Sequence, residues 1–368
     1  MASGLDFLVA REDLRRTRFA ATEVPEASEL RSGEVLLEID RFGFSANNIT
    51  YATLGEAMGY WRFFPAPQGW GRVPVWGYAV VAGSAHDELE VGERVFGYLP
   101  MSTHLVVIGD RVKAGGFIDA APHRADLPTV YQRYTRLEAK SDDPGSEDQE
   151  ALWRPLFMTS FGAADFLADR GVFGAERVVV SSASSKTALG IAFLVRRGLE
   201  GIGVVGLTSA RNVPFTKRTG YYGRVIEYGD LHELSADAPL LFVDLAGNDR
   251  LLNGLRRRMG EGLRRTVVVG ATHWQQRAEG TPRGGGDAEF FFLPPWMEKR
   301  RSEWGAGEFA RRYAKAWGAF LPTVERWMQI HLHRGRDDVE AVYRRTLDGD
   351  VDPAVGQILS LRDEAAFL

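Results

Sequence analysis

Residues 176–212 decide the fold, and they read ERVVVSSASSKTALGIAFLVRRGLEGIGVVGLTSARN. Residues 178–180 are all valine, an apolar run typical of a strand that is buried on both faces. Small residues follow, and then Ala188, Ile191 and Val195 recur at helical spacing. A second apolar run at 202–207 ends in a polar loop. The order of strand, turn, helix and strand predicts a parallel βαβ unit.

The turn after the first strand carries a weakened dinucleotide-binding pattern. Ala183, Ser185 and Ala188 fall on the spacing of the Gly-x-Gly-x-x-Gly/Ala fingerprint, with small residues in place of the first two glycines. Small side chains let the backbone approach a pyrophosphate, and a helix N-terminus supplies N–H groups with partial positive charge. We therefore assign cofactor contacts to Ser182, Ser184, Ser185, Lys186 and Thr187. The alternatives are a βαβ unit without nucleotide and a Lys186 that only reaches solvent.

The loop after the second strand is where the ribose of adenosine would lie. An acidic residue there favours a free 2′-hydroxyl, whereas Arg211 with Ser209 and Asn212 suits a 2′-phosphate. The sequence therefore predicts NADP(H) rather than NAD(H) as the cofactor. The alternative is a solvated arginine with no ligand.

Short apolar runs at 223–227, 239–244 and 265–270 alternate with helical stretches, which predicts a parallel sheet covered by helices. We extend the cofactor site to Tyr228, Asp244, Asn248 and Thr272. Asp244 closes a strand and Asn248 stands at a helix entrance, so helix capping is the alternative role for both.

The first part of the chain is rich in predicted strands, at 33–40, 75–83, 93–98 and 104–108, and 136–150 is predicted as a loop. The net charge of −4 gives no reason to expect nucleic acid or a membrane surface as a partner. The absence of cysteine excludes disulfides, thiolate catalysis and cysteine-ligated zinc. No stretch is typical of a membrane span or a secretion signal, so a cytoplasmic protein is expected.

Several segments together resemble the medium-chain dehydrogenase/reductase superfamily. They are, in chain order, GEVLLEIDRFGFSANNITY, GERVFGYLP, MTSFGAADFLADRGVFGAERVVV and DVEAVYRRTLDGDVDPAVGQILSL. The resemblance implies an α/β protein with a GroES-like β domain at 1–154, completed by 305–368, and a Rossmann domain with a doubly wound parallel sheet at 155–304. The segments SSASSKTALG, TSARN, VDLAGN, VGATHW and FFFLPPWMEKR look closer to a branch catalogued as a domain of unknown function.

One departure from the superfamily concerns zinc. Members with catalytic zinc carry Gly-His-Glu where this chain has Gly77-Tyr78-Ala79, and their cysteine ligands are missing here. The zinc-free quinone and enoyl reductases are therefore the nearer relatives, and no metal ligand is assigned.

Zinc-free reduction of an activated double bond needs a hydride and a proton donor. In related enoyl reductases a tyrosine of the segment 47–76 is the donor, and Tyr60, which follows Gly59, is the closest match, with Tyr51 second. Ordinary half-buried aromatics are the alternative for both. His273, after the strand at 265–270, is a third candidate acid, although a lone histidine is more often structural.

Substrate contacts are assigned to Asn47, Asn48, Trp61, Trp274 and Trp296. The two asparagines suit a carbonyl or the nicotinamide ribose, and turn formation is their alternative role. The aromatic residues predict an apolar pocket for an aromatic or acyl small molecule, with core packing or a subunit interface as alternatives.

The sequence as a whole favours a zinc-independent, NADPH-dependent reductase that acts on an enone, quinone or related carbonyl in an interdomain cleft. The alternative is an NADP(H)-binding protein without redox activity, either a sensor or a lyase-type enzyme, on the same scaffold. A structural subunit that has lost nucleotide binding is a third reading. A homodimer is the assembly expected for this architecture.

Overall fold

The computed structural model describes residues 2–137, 144–269 and 288–363. The chain divides into two compact units. The barrel unit comprises Met1–Arg154 and Ile330–Leu368, and the parallel-sheet unit comprises Pro155–Gln329. The sequence predicted that residues 305–368 complete the first domain, whereas in the structure the second part of the barrel unit begins at Ile330.

The barrel unit is built mainly from antiparallel strands. Its strands are β1 (Ala2–Ala10), β2 (Thr17–Val24), β3 (Glu34–Phe44), β4 (Trp70–Gly71), β5 (Pro74–Ser84), β6 (Arg94–Pro100), β7 (His104–Lys113), β8 (Gly116–Asp119) and β9 (Arg133–Leu137), and near the C-terminus β16 (Gln329–Arg334) and β17 (Val355–Ser360). Its helices are α1 (Ala46–Thr53) and α8 (Gly335–Leu347). The four strands predicted in the first part of the chain correspond to β3, β5, β6 and β7.

These strands close into a barrel. The larger sheet has the order β16-β17-β3-β5-β6-β9-β8-β7, and an additional pairing joins β3 to β7. That pairing runs from Glu34 opposite Ile108 to Glu38 opposite His104, so six strands form a closed ring with no free edge between them. A smaller sheet of order β2-β1-β4 completes the unit.

The parallel-sheet unit holds the predicted βαβ unit. Its strands are β10 (Arg177–Val180), β11 (Gly203–Thr208), β12 (Arg224–Glu227), β13 (Leu240–Asp244), β14 (Leu263–Val268) and β15 (Ala288–Phe290). Its helices are α3 (Lys186–Gly198), α4 (Val213–Thr219), α5 (Asp249–Met259), α6 (Leu293–Trp304) and α7 (Ala306–Val324), and α2 (Pro144–Asp169) enters it at Pro155.

The strand order in this sheet is β12-β11-β10-β13-β14-β15, and every pairing is parallel. This is the doubly wound order 3-2-1-4-5-6 of the Rossmann fold. Val178 pairs with Val204 on one side and Leu241 on the other, and the strand is buried, as its run of valines predicted.

The predicted loop at 136–150 is wrong over its second half, because α2 begins at Pro144. Buried ion pairs explain the difference. Arg41 on β3 bonds Glu147 at 3.0 Å and Asp148 at 2.6 Å, and Arg94 on β6 bonds Glu147 at 2.7 Å. The polar residues that suggested a loop instead fasten the first turns of α2 to the barrel.

Helix α7 belongs to the parallel-sheet unit. Its Phe320 stacks on Phe157 of α2 with ring centroids 4.6 Å apart, and it meets Phe193 of α3 edge-on at 5.1 Å. These buried aromatic contacts keep residues 306–324 with the parallel sheet, which is why the chain returns to the barrel unit only after them.

Candidate functional site

The strand order places the candidate site at the carboxyl ends of β10 and β13. The strand order runs outward in opposite directions from these two neighbouring strands. Open α/β sheets bind ligands in the crevice at such a switch point. Residues 181–185 follow β10 and residues 245–248 follow β13. The predicted cofactor residues in these two loops are therefore brought to one edge of the sheet.

The turn after β10 is tightly constrained. Ser182 has a φ of +47°, a left-handed conformation that is uncommon for a residue other than glycine. Its backbone N–H donates to the hydroxyl of Tyr228 at 2.9 Å, and its carbonyl accepts from the N–H of Ser185 at 2.7 Å. The side chain of Ser185 accepts from the N–H of Ala188 at 3.4 Å, so it caps α3. The serines thus give the turn its shape without the glycines of the usual fingerprint.

Tyr228 follows β12 and reaches across to this turn. It is half-buried, and burial of its hydroxyl raises its pKa, an effect partly offset by the hydrogen bond with Ser182. The sequence assigned Tyr228 to the cofactor site, and the structure brings it into contact with the turn after β10.

A second connection joins the turn to the loop after β11. The side-chain amide of Asn212 donates to the Ser184 hydroxyl at 3.0 Å, and the Thr208 hydroxyl donates to the same oxygen at 3.3 Å. Arg211 is exposed and Ser209 half-exposed in this loop. The groups predicted to bind a 2′-phosphate therefore lie beside the groups predicted to bind the pyrophosphate.

Ser181 is a site residue that the sequence analysis missed. It is fully buried, its hydroxyl donates to an oxygen of Asp244 at 2.9 Å, and that hydroxyl accepts from the N–H groups of Leu245 and Ala246. Asp244 also accepts from the N–H of Gly247 at 3.0 Å. Asp244 therefore shapes the loop after β13. Ser181 directly follows β10, and Asp244 is the last residue of the neighbouring strand β13. Such a polar pair at the ends of two buried strands is the sequence signal that identifies Ser181.

Asn248 caps α5, since its side-chain oxygen accepts from the N–H groups of Arg250 at 3.0 Å and Leu251 at 3.2 Å. This is the capping role that the sequence left open for it.

Helix α3 is positioned by a close approach to α2. The Ser160 hydroxyl donates to the carbonyl of Thr187 at 2.9 Å, and a Cβ on Gly190 would lie 2.4 Å from that same hydroxyl oxygen. Lys186 and Thr187 form the first turn of the helix, and both are half-buried. The absence of a side chain at Gly190 therefore fixes where the N-terminus of α3 lies.

Both candidate tyrosines belong to a buried aromatic cluster in the barrel unit. The cluster consists of Tyr51, Tyr60, Phe63, Phe64, Tyr98, Leu127 and Tyr131. Tyr51 and Tyr60 lie 4.7 Å apart between ring centroids. Burial raises the pKa of both hydroxyls. The Tyr51 hydroxyl accepts from the indole of Trp76 at 3.4 Å, and the Tyr60 hydroxyl lies 3.5 Å from that of Tyr131.

The predicted substrate residues near these tyrosines have structural partners. Asn48 is buried, its oxygen accepts from the N–H of Ser45 at 2.8 Å and its amide donates to the carbonyl of Pro74 at 2.9 Å. Asn47 hydrogen-bonds Tyr51, which lowers the pKa of that hydroxyl against the larger effect of burial. Trp61 is buried beneath Gly55 and Gly71, where any Cβ would collide with its ring.

Trp296 lies on α6 in the parallel-sheet unit. Its indole N–H donates to Asp165 at 2.9 Å, its ring meets Phe166 edge-on at 5.1 Å, and Arg300 stacks over it at 4.7 Å. These contacts attach α6 to α2. Thr272, His273 and Trp274 lie outside the described residues.

Two further observations concern the described residues alone. Across 2–137, 144–269 and 288–363, no three His, Cys, Asp or Glu side chains are grouped so that they would hold a metal ion. Among the helices in these ranges, none combines the length and the apolar character needed to cross a membrane.

The fold is similar to that of several solved proteins. CurA from Vibrio vulnificus in complex with NADPH superposes with a TM-score of 0.66 at 14% identity, over 98% of this chain and 99% of that chain. The yhdH oxidoreductase from Salmonella enterica in complex with NADP gives 0.54 at 14% identity, over 97% and 100%. The quinone oxidoreductase from Coxiella burnetii gives 0.52 at 13% identity, over 98% and 100%.

These likenesses confirm the predicted fold, a GroES-like β domain with a Rossmann domain. No curated protein matches the chain in sequence. The family described as "Protein of unknown function (DUF2855)" matches residues 42–352, so the chain belongs to the DUF2855 family.

Proposed function

We propose that this protein is a zinc-independent, NADPH-dependent reductase of an enone, quinone or related carbonyl compound. The observation that carries the proposal is the polar edge at the carboxyl ends of β10, β11 and β13, where the turn at 181–185 meets the loop that contains Arg211. NADPH and NADP are bound by CurA and yhdH, which share the fold, and this supports the choice of cofactor.

The residues of the turn fit a dinucleotide. Ala183 packs against Gly206 of β11, where a Cβ would lie 2.8 Å from that of Ala183, so the small methyl of Ala183 is accommodated against the sheet. Helix α3 begins directly after this turn, so the partial positive charge of its N-terminus lies where it would attract a pyrophosphate. Arg211 offers a planar guanidinium for the two charges of a 2′-phosphate.

Bound NADPH supplies a hydride, and the chain must supply the proton that completes the reduction. Tyr60 is the first candidate for this proton, and Tyr51 is the second. Burial raises the pKa of the Tyr60 hydroxyl, so it keeps its proton at neutral pH and gives it up only to the more basic anion that hydride transfer leaves on the substrate. Neither step requires a metal ion.

Cofactor titration tests the proposal. NADPH at 100 times its Kd should raise the free energy of unfolding by about 2.7 kcal/mol, because it binds only the folded protein, and NADH at the same concentration should do far less. The NADPH absorbance should then fall when enones or quinones are added, with or without a chelator. Absence of any stabilisation would contradict the proposal, and loss of activity with the chelator would contradict its zinc-independence.

The same experiment identifies the alternative function. The loss of the first two fingerprint glycines, which are replaced by Ala183 and Ser185, favours an NADP(H)-binding protein without redox activity. Stabilisation by NADPH without oxidation of NADPH by any carbonyl compound would support that sensor or lyase-type function.

A further inference from the structure

Tyr131 is a residue of the aromatic cluster that neither the sequence nor the proposed function has used. It ends a short 3₁₀ turn, Thr129–Tyr131, that precedes β9. Its hydroxyl lies 3.5 Å from the Tyr60 hydroxyl, and in the described part of the chain it is the one hydrogen-bond partner of that hydroxyl. The ring of Tyr131 is fixed by Tyr98, with centroids 4.8 Å apart, and by Phe63 at 5.4 Å.

The segments that carry Tyr60 and Tyr131 are tied together by buried polar contacts. Arg124, which is 1% exposed, pairs with Asp119 at 2.5 Å and donates to the carbonyl of Phe63 at 2.9 Å. The amide of Gln132 donates to the carbonyls of Arg124 at 2.8 Å and Leu127 at 2.7 Å. A buried guanidinium is costly unless it is paired and hydrogen-bonded, so these contacts hold the backbone on both sides of the two hydroxyls in one arrangement.

We propose that Tyr131 is a positioning residue that donates a hydrogen bond to the Tyr60 oxygen and so directs the proton of Tyr60 toward the substrate. This inference rests on the proposed function. When Tyr60 gives up its proton, the O–H bond breaks, its electron pair stays on the phenol oxygen, and the proton bonds the substrate. The hydrogen bond from Tyr131 stabilises that oxygen while it is negative, and solvent water then returns a proton to it.

The electrostatics of the pair agree with this assignment of donor and acceptor. Burial raises the pKa of Tyr60, and the hydrogen bond from Tyr131 works against that increase. For Tyr131 the same hydrogen bond raises the pKa further, as expected of the group that donates. The distance of 3.5 Å is long for O–H···O, and catalytic hydrogen bonds often shorten only when substrate is bound.

The test compares Tyr131→Phe with Tyr134→Phe. Tyr134 is also a buried tyrosine, but its hydroxyl donates to the backbone carbonyl of Tyr98 at 2.8 Å, so it serves as the matched control. Tyr131→Phe should lower kcat roughly fivefold to tenfold, leave the KM for NADPH unchanged and increase the solvent deuterium isotope effect on kcat. Tyr134→Phe should leave these kinetic quantities unchanged. Equal kinetic effects of the two variants, or an unchanged isotope effect in Tyr131→Phe, would overturn the proposal.

A measurement without substrate separates this inference from the proposed function. In protein with isotope-labelled tyrosine, the phenol carbon signal of Tyr60, assigned with Tyr60→Phe, should shift in Tyr131→Phe and stay in place in Tyr134→Phe. If the signal shifts but the protein oxidises no NADPH, the hydrogen bond between Tyr131 and Tyr60 is supported and the proposed reductase function is rejected. An unmoved signal would overturn the role of Tyr131, even if the reductase is active.

Discussion

Ser182 and Tyr228 are joined by a hydrogen bond of 2.9 Å, in which a backbone N–H donates to a phenol hydroxyl. Ser182 lies in the turn after β10, and Tyr228 follows β12, which is two strands away in the sheet. The bond therefore spans β11 and connects the turn to the outer strand. Because Ser182 holds a left-handed φ of +47° without being glycine, the turn depends on such contacts to keep its shape.

Replacement of Tyr228 by phenylalanine removes the acceptor of the Ser182 N–H. We expect the free energy of unfolding to fall by about 1–3 kcal/mol, the cost of leaving a buried donor unsatisfied, and the Kd for NADPH to rise. Denaturant unfolding and nucleotide titration measure the two effects. Tyr221→Phe is the control, since Tyr221 bonds Thr323 and Trp327 away from the turn. If the control weakened NADPH binding as much, the Ser182 contact would not be the cause.

Arg211→Ala should separate the two nicotinamide cofactors. The guanidinium is proposed to bind the 2′-phosphate, and hydrogen bonds between charged groups contribute about 1.5–3 kcal/mol, so the Kd for NADPH should rise by roughly tenfold to a hundredfold. The Kd for NADH, which lacks that phosphate, should change little. Arg218→Ala, at an exposed arginine of α4, should leave both constants unchanged. Equal losses for NADPH and NADH in Arg211→Ala would show that Arg211 only supports the fold.

The sequence predicted the parallel sheet well because its signals are local. The valines at 178–180 and the apolar face of α3 act within a few residues, and the strand order then follows from the rules for parallel connections. The start of helix α2 was missed and predicted as part of a loop, because the ion pairs of Arg41 and Arg94 with Glu147 join residues 53 or more apart. No local pattern reports such distant pairs.

The same distinction applies to the candidate site. Residues 182–185 of the turn were predicted from spacing, whereas Ser181 was missed because its role depends on Asp244, a partner 63 residues away. Trp61 was selected for its aromatic ring, but its burial beneath Gly55 and Gly71 is decided by backbone segments that meet only in the folded chain. Tyr131 is likewise recognisable only once its hydroxyl is near that of Tyr60.

His104 should make the stability of the protein depend on pH in the acidic range. Burial lowers the pKa of His104 on β7 below its usual value of about 6.5. The unfolded chain therefore binds a proton at a pH where the folded protein does not, and the free energy of unfolding should decrease as the pH falls from 6.5 toward the lowered pKa. The slope is at most about 1.4 kcal/mol per pH unit.

His104→Gln should reduce this slope, measured by denaturant unfolding at a series of pH values. His331→Gln is the control, because His331 is an exposed histidine on β16, also a strand of the barrel unit. An unchanged slope in His104→Gln would show that other groups govern the acid sensitivity.

Gly190 and Gly198 lie in the same helix, α3, and should respond to alanine in opposite directions. A Cβ at Gly190 would lie 2.4 Å from the Ser160 oxygen and 2.7 Å from its Cβ, whereas a Cβ at Gly198 meets nothing within 4 Å. Gly190→Ala should therefore lower the free energy of unfolding by about 1–3 kcal/mol through overpacking. Gly198→Ala should raise it by up to about 1 kcal/mol, because alanine favours the helix.

Since Gly190 also sets the position of the N-terminus of α3, Gly190→Ala should weaken NADPH binding in a titration, and Gly198→Ala should not. If Gly190→Ala destabilised the protein but left the Kd for NADPH unchanged, the start of α3 would not contribute to the nucleotide site.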